Sequence, residues 1–194
     1  MLKRKIEEVE EHEHPILDPP SMEVTSNRNK VYFHCEVSRK NIMVLVQELE
    51  KACKYVREYM DEDSKIHLYI HSEGGDLYAG LSGMHHIKNC RVPVVTHVDG
   101  LCASAGTDLL LGGTKRVMSK YSQVLIHQLS SGVFGKYEEI KEETENCTKL
   151  MNMMRKIYDE CCKIPKKVMN KLMTKEIYLD ADECLKYKIV DEIV

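Results

Sequence analysis

Three short stretches of the sequence hold residue types that could carry out acyl-transfer chemistry, and the first surrounds Ser104. Small residues flank this serine in the stretch CASAG, residues 102 to 106, between an apolar strand-like run and the apolar run LLLG. A serine at a strand-to-helix junction can present its hydroxyl where free backbone N–H groups stabilise a developing oxyanion. It can equally be a helix cap or a packed small residue. This stretch alone leaves both interpretations open.

The second stretch is SEGG, residues 72 to 75, which directly follows another apolar strand-like run. Two glycines let the backbone approach a ligand closely and aim an N–H at a carbonyl oxygen, although the same pair is typical of a tight turn. Neither the GxxxxGK[ST] nor the GxGxxG spacing of a phosphate loop is present. A nucleotide-binding loop is therefore not predicted here.

The third stretch is LIHQ, residues 125 to 128, in which His127 ends an apolar run. A histidine in this position is either a candidate general base or a satisfied core residue. A serine and histidine pair needs an acidic partner that orients the imidazole and stabilises its charged form. Sequence spacing does not choose among the downstream candidates, which are Glu176, Asp180, Asp182 and Asp191.

Two other nucleophile arrangements compete with this interpretation of Ser104. The pattern CxSxG is close to the GxSxG elbow of α/β-hydrolases, but that fold places its acid between the serine and the histidine. Between Ser104 and His127, no acid follows a comparable strand, and Asp108 lies within the helix that follows the serine. The sequence therefore does not favour the α/β-hydrolase arrangement. Cys102 could act as a thiol nucleophile, yet a cysteine in this turn is as readily packed inward.

Composition and charge exclude several classes of protein. The 194 residues suffice for one domain with its own core, and the formal net charge of -3 offers no basic surface for nucleic acid. No apolar run approaches the roughly 18 residues of a membrane span. Acidic residues follow Lys3 to Lys5 where a secretory signal would be apolar, so we expect a cytoplasmic protein with reduced cysteines. No CxxC pair occurs, and neither a metal nor a cofactor is predicted.

The order of sequence patterns predicts an α/β fold. Residues 1 to 30 combine an acidic run with three prolines and a polar stretch, and we interpret them as a flexible arm before a domain of residues 31 to 194. From Val31, strand-like runs alternate with amphipathic helical patterns. A long helix with a wide apolar stripe is predicted from about Lys136 to Lys163. Asp180 with Glu183 forms a capping-box pattern before a short helix and a terminal strand.

Taken together and in this order, SEGG, CASAG, LIHQ and the segment EIYLDA resemble the Clp proteolytic subunit family, ClpP. The tail YLDADECLKYKIVD is also similar to that family, and the resemblance spans about residues 30 to 194. It implies a crotonase-like fold of repeated strand-strand-helix units with a long handle helix. It also implies a self-compartmentalised, ATP-dependent-type serine endopeptidase that hydrolyses unfolded polypeptides or short peptides inside a ring chamber.

The same resemblance assigns roles to individual residues. Ser104 matches the nucleophile and His127 the general base, and the backbone N–H groups of Gly75 and Ala105 match the oxyanion hole. The acid position falls on Glu176, where the family usually has an aspartate, and Asp180 is the alternative. Two further departures, Glu73 for a proline and Ala105 for a methionine, remove no backbone donor. The remaining residues expected to contact substrate are Gly74, Asp76 and Leu129.

The resemblance also implies an assembly and a partner. The family forms two stacked heptameric rings, so a homo-oligomer of fourteen chains is expected, with a polypeptide as substrate and an AAA+ unfoldase as a possible partner. The surface pocket for an unfoldase keeps Tyr69, but the positions of His67, His97 and Asp99 are polar here. We therefore expect docking in the usual way to be impaired.

Two alternative functions follow from the same residues. One is a catalytically impaired structural subunit of a mixed ring, with Glu176 as a sign of lost activity. The other is an acyl-CoA enzyme of the crotonase superfamily, which would use the oxyanion donors without a nucleophile. The presence of Ser104 together with His127 argues against the acyl-CoA enzyme.

Overall fold

The sheet begins earlier than the sequence predicted. The computed structural model describes residues 24 to 194, so most of the predicted arm lies outside the described residues. Strands β1 (Val24–Asn27) and β2 (Lys30–Phe33) form an antiparallel hairpin whose turn holds Arg28 at a φ of 58°. The first strand therefore starts at Val24 rather than at residue 31. The sequence did not predict β1 because its residues are mostly polar and show no hydrophobic alternation. Part of its attachment is by hydrogen bonding, as between the Ser26 hydroxyl and the Glu48 carboxylate.

Strands and helices alternate along the rest of the chain, which confirms the predicted α/β class. The further elements are α1 (Arg39–Tyr59), β3 (Ile66–Ser72), α2 (Leu77–Lys88), β4 (Val94–Ala103), α3 (Gly106–Leu111), β5 (Lys115–Met118), β6 (Gln123–Leu125), α4 (Tyr137–Cys161), α5 (Lys166–Leu172), β7 (Tyr178–Leu179), α6 (Ala181–Lys186) and β8 (Glu192–Ile193).

The sheet branches at strand β4. Its main path runs β1-β2-β3-β4-β5-β8, and every pair along it except β1 with β2 is parallel. The first half of β4, Val95 to Val98, pairs with β5, whereas its second half, Leu101 to Ala103, pairs in parallel with β6. Between the halves Gly100 has a φ of 91°, a backbone conformation that favours glycine. Strand β7 then adds antiparallel to β6, so β4, β6 and β7 form a separate branch.

Helix α1 covers the sheet and builds the core with it, and α2 packs against α1 and α3. Helix α1 begins at Ser38, whose side chain accepts a hydrogen bond from the Asn41 N–H as a cap. Its apolar residues at helical spacing, such as Ile42, Leu45 and Leu49, are buried in one cluster with the side chains of β2, β3 and β4. Burying a leucine side chain of this kind contributes about 2 kcal/mol.

Helix α4 leaves the apolar side chains of its first turn exposed, whereas those of its later turns are half-buried or buried against the core. It runs within the predicted limits, and among its residues Tyr158 is the one classed as buried. Ile140 is 43% exposed, and in the loop before the helix Phe134 is completely exposed. A single chain therefore leaves apolar surface on this helix that a partner surface could cover. Among the described residues, no helix combines the length and apolarity that crossing a membrane requires.

Candidate active site

The candidate catalytic residues meet at one edge of the sheet because of strand direction. Strands β3, β4 and β6 run parallel, and the glycine pair, Ser104 and His127 each follow the carboxyl end of one of them. Strand β7 runs in the opposite direction, so Glu176, which precedes it, lies at the same edge. Carboxyl ends of parallel strands are where open α/β sheets form their ligand sites.

Ser104 lies in a strained turn between β4 and α3. Its φ is 53°, a left-handed conformation that is unfavourable for a residue other than glycine. Its N–H donates to the Leu125 carbonyl at 2.9 Å, and its own carbonyl accepts from the N–H and hydroxyl of Thr107 at 2.9 and 2.6 Å. The Thr107 hydroxyl also bonds to the buried Tyr158 hydroxyl at 2.5 Å. These bonds hold the backbone of Ser104 from both sides.

The glycine pair lies against this turn. A side chain added at Gly74, whose φ is 98°, would come 2.5 Å from the Ser104 Cβ. Gly75 forms an isolated parallel β-bridge with Val37. The Val37 N–H donates to the Gly74 carbonyl, and the Asp76 N–H donates to the Val37 carbonyl. That pattern leaves the Gly75 N–H unengaged within the described part of the chain, and the Ala105 N–H is likewise unengaged there at the start of α3. Two backbone donors are thus available beside the Ser104 hydroxyl.

His127 and Glu176 are brought together by the antiparallel register of β6 and β7. Val124 pairs with Leu179 and Leu125 with Tyr178, and the same register continued by two residues sets Glu176 opposite His127. The Glu176 Oε1 and His127 Nδ1 atoms are 3.9 Å apart, which is longer than a hydrogen bond. The side chain of Glu176 is 76% exposed and that of His127 is 21% exposed.

Ser104 and His127 line one cavity of about 710 Å³. No hydrogen bond joins the Ser104 hydroxyl to the imidazole in the described residues. The fold therefore brings the predicted nucleophile and base to one cavity and sets the predicted acid 3.9 Å from the base, with no hydrogen bond from the imidazole to either residue in the described part of the chain.

Two of the other candidate acids are engaged elsewhere, and the third, Asp182, is exposed in the first turn of α6. Asp180 is the N-cap of α6, where its carboxylate accepts from the Glu183 N–H at 2.8 Å in the predicted capping box. Asp191 binds Arg116, including its N–H at 2.9 Å. Glu176 is the candidate within 4 Å of the imidazole.

Cys102 is unsuited to the nucleophile's role. It is completely buried in the core, and burial raises the pKa of its thiol far above the ordinary value. A neutral, enclosed thiol is a poor nucleophile. Across residues 24 to 194, no group of three or more histidine, cysteine or acidic side chains is arranged to hold a metal ion.

The predicted substrate-contacting residues lie around the same cavity. Asp76 and Leu129 line it, and Gly74 contacts Ser104. Asp76 also caps α2 by accepting from the Ala79 N–H at 2.6 Å. Two lining residues, Asp108 and Tyr158, were not predicted from the sequence as parts of the site. The signal for Asp108 was available, because it follows Ser104 by four residues, or one helical turn.

Comparisons with known proteins identify the family of this chain. The family model for Clp protease matches residues 26 to 194. The chain is 28% identical to an ATP-dependent Clp protease proteolytic subunit of Borrelia garinii, over 92% of the chain and 97% of that protein. A protein of the same name from Angiopteris evecta is 34% identical over 69% of each. Another from Deinococcus radiodurans is 28% identical over 68% of the chain and 66% of that protein.

A solved structure shows the same fold. A point mutant of ClpP1 from Listeria monocytogenes superposes with a TM-score of 0.74 at 21% identity, covering 86% of this chain and 91% of that one. The predicted ClpP-type fold with its long helix is therefore confirmed. With the family model matched from the β1–β2 hairpin to the end of the chain, the protein belongs to the Clp protease family.

Proposed function

We propose that this chain is a serine endopeptidase that hydrolyses unfolded polypeptides or short peptides inside a chamber formed by copies of itself. The observation that carries the proposal is the edge of the β4, β6 and β7 branch. There Ser104, held at a φ of 53°, lies beside two unengaged N–H donors and shares a cavity with His127. Membership of the Clp protease family supports the same reaction.

In the proposed acylation step, the Ser104 hydroxyl oxygen attacks the carbonyl carbon of the scissile peptide bond. Its proton passes to His127, and the carbonyl oxygen becomes an oxyanion that accepts hydrogen bonds from the N–H groups of Gly75 and Ala105. The carbon–nitrogen bond then breaks, and the imidazolium returns the proton to the leaving amine. The products are an acyl ester on Ser104 and a free amino terminus.

In the proposed deacylation step, a water molecule takes the place of the amine. His127 removes a proton from this water, the hydroxide attacks the ester carbon, and the proton returns to the Ser104 oxygen as the ester bond breaks. Glu176 would stabilise the imidazolium that forms in both steps. Its distance of 3.9 Å and its exposure make this stabilisation electrostatic rather than a directed hydrogen bond.

Assembly into stacked rings is supported by exposed apolar side chains at the start of the long helix α4 and in the loop before it. The loop before α4 and the first turn of that helix expose four large apolar side chains that a second copy could bury: Val133, Phe134, Tyr137 and Ile140. Exposed apolar area of this kind marks interaction surfaces. A double heptameric ring would enclose the cleavage sites and protect other proteins from them.

An ATPase partner is supported by the names of the relatives, which are proteolytic subunits of ATP-dependent proteases. The expected docking surface is unusual in this chain. The ring of Tyr69 stacks between Tyr32 and His97, and the His97 and His67 imidazoles are 3.0 Å apart. Burial holds the pKa of His97 at about 4, so this imidazole is neutral at physiological pH. We propose that an unfoldase would meet a stacked, partly polar surface here and bind through aromatic and hydrogen-bond contacts.

The impaired structural subunit is the second candidate function. The observation that favours it is the position of Glu176, whose carboxylate is largely in solvent and not hydrogen-bonded to His127. Such a chain would still assemble, because the helices and strands that support assembly do not depend on Glu176. It would hydrolyse peptides weakly or not at all.

Labelling with a fluorophosphonate, which reacts with activated serines, separates the two candidates. The full-length protein should be labelled at one site, and Ser104→Ala, with the same oligomer size by sedimentation, should not be labelled. Peptide mapping should locate the adduct on Ser104. Absence of labelling in a correctly assembled protein would contradict the peptidase proposal and favour the structural subunit.

A further inference from the structure

Asp108 is a buried carboxyl group for which the proposed mechanism has no use. It lies on α3, one helical turn after Ser104, and it is only 5% exposed. Within residues 24 to 194 its carboxylate accepts no hydrogen bond and joins no ion pair, so burial alone acts on its ionisation. Enclosing a carboxylate without a partner costs several kcal/mol. An apolar residue at this position would carry no such desolvation cost.

The Asp108 carboxyl group opens into the cavity that holds the nucleophile. The same cavity is lined by Ser104, Gly75 and Ala105. On the side of α2, the Oδ2 atom lies over Gly80, where an added Cβ would be only 2.8 Å away. A glycine at this position leaves the room that the carboxyl group occupies. The cavity therefore has an unpartnered acceptor one helical turn from the attacking hydroxyl.

The charges around the cavity favour a cation. Its lining holds three carboxyl groups, those of Asp76, Asp108 and Glu143, against the single ammonium group of Lys149. Asp76 is engaged as the cap of α2, and Glu143 accepts from the Ser131 hydroxyl at 2.8 Å. Asp108 is the carboxyl group of the three that has no partner.

We propose that Asp108 selects an arginine or lysine side chain on the acyl side of the scissile bond. The inference rests on the proposed peptidase function and specifies its substrate. When Ser104 attacks a carbonyl carbon, the side chain of the residue that owns this carbonyl extends from beside the nucleophile into the cavity. A side chain that reaches one helical turn further, about 5 Å, sets its cationic group against the carboxylate.

The ionisation of Asp108 is consistent with a site that waits for a cation. Burial raises its pKa to about 7, so the empty site is about half protonated in neutral solution. The titratable groups that face it are the Cys102 thiol on β4 and the Tyr158 phenol on α4. Burial raises the pKa of both, so both are neutral near pH 7. From α2, Gly80 lies against the carboxyl group and Tyr78 lines the same cavity. A bound guanidinium would stabilise the ionised form of the carboxylate, and the ionised carboxylate would in turn strengthen binding of the guanidinium.

The test compares fluorogenic peptides that differ only in arginine or citrulline before the scissile bond. Citrulline has nearly the shape of arginine but carries no charge. For the full-length protein we expect kcat/KM to be about 100-fold higher for arginine at about pH 8. This ratio should fall about tenfold by about pH 6, as Asp108 becomes protonated. His127 acts on both peptides equally, so the ratio reports on the pocket alone.

Three variants complete the test. Asp108→Asn keeps the shape of the side chain and should bring the arginine-to-citrulline ratio close to one at every pH. Asp108→Leu should turn the preference towards a leucine peptide. Asp159→Asn removes an exposed carboxylate from α4, outside the cavity, and should keep the parent ratio and its pH dependence.

The outcomes separate this inference from the proposed function. If Ser104 is labelled and apolar peptides are cleaved, but arginine and citrulline peptides are cleaved equally, the pocket assignment is wrong while the peptidase stands. A strong arginine preference that survives in Asp108→Asn overturns the assignment as well. If no peptide of any kind is cleaved and Ser104 is not labelled, both proposals fail. Because the parent protein alone gives the pH dependence, the test does not depend on the variants folding.

Discussion

Replacing Glu176 by glutamine measures how much its carboxylate contributes to catalysis. At a separation of 3.9 Å, two unit charges attract by about 1 kcal/mol in water and by about 4 kcal/mol at a dielectric constant of about 20. The Glu176 side chain is 76% exposed, so the value in water applies. A loss of about 1 kcal/mol from the stabilisation of the imidazolium corresponds to an about 5-fold lower rate.

We therefore expect Glu176→Gln to lower kcat for a fluorogenic peptide by about 5- to 10-fold and to leave KM nearly unchanged. Because the Glu176 carboxylate is largely in solvent, added salt should weaken its attraction to the imidazolium in the parent and reduce the difference between the two proteins. The measurement is steady-state hydrolysis at low and high salt, with oligomer size checked by sedimentation.

Asp180→Asn is the matched control, because it removes a second carboxylate from the same segment. It should keep the parent's kcat and nearly the parent's free energy of unfolding, because asparagine caps a helix about as well as aspartate. Glu176→Asp withdraws the carboxylate by one methylene and should be no more active than Glu176→Gln.

A loss near 10⁴ in Glu176→Gln, as seen when a buried triad acid is replaced, would refute the electrostatic account. It would mean that the carboxylate is hydrogen-bonded to His127 in the working enzyme. Activity of Glu176→Asp at or above the parent would show that the backbone suits an aspartate. A loss of kcat in Asp180→Asn alone would identify Asp180 as the acid.

The remaining predictions concern the nucleophile, its support and the assembly. Ser104→Ala should lower peptide hydrolysis on the order of 10⁶-fold without changing oligomer size; retained turnover in the purified variant would exclude the serine mechanism. Tyr158→Phe deletes the hydroxyl behind the Ser104 turn and should lower the free energy of unfolding by about 1 kcal/mol in denaturant titrations, with kcat reduced more than KM. An unchanged kcat would show that this bond does not position the nucleophile. Phe134→Ser combined with Ile140→Glu should convert a particle of a dozen or more subunits into smaller species in sedimentation, whereas a parent that already sediments as a 22.4 kDa chain would contradict the ring.

The sequence predicted the elements well where hydrophobic periodicity was strong. Helix α4 lies within its predicted limits, and the capping box that begins α6 is present as predicted from Asp180 and Glu183. Strand β1 was missed because its residues are mostly polar and only partly buried, so no alternation distinguishes them from a linker. The branching of β4 was also beyond sequence reasoning, since pairing of one strand with two neighbours depends on its long-range register.

Part of the candidate site could be predicted from the sequence, and part of it required the fold. Motif order brought Ser104, His127 and Glu176 to attention, and the choice between Glu176 and Asp180 required the register of β6 with β7. Asp108 was considered only as a possible triad acid. Its burial and lack of a partner depend on α2 and α4, which pack around it from distant parts of the chain. A single helical position in a sequence does not contain that information.

The branch of the sheet has a mechanical consequence. Ala103, Leu125 and Tyr178 form one rung across β4, β6 and β7, and the three proposed catalytic side chains lie within two residues of that rung. Among the described strands, β6 and β7 join the main sheet through the second half of β4, which lies beyond Gly100 and also pairs with β3 at Cys102 and Ser72. A change of twist that rotates this rung as a unit would leave the spacing of the proposed nucleophile, base and acid unchanged. Strain applied at the outer strands would then reach the site as a tilt of the rung rather than as a change in the spacing of its parts.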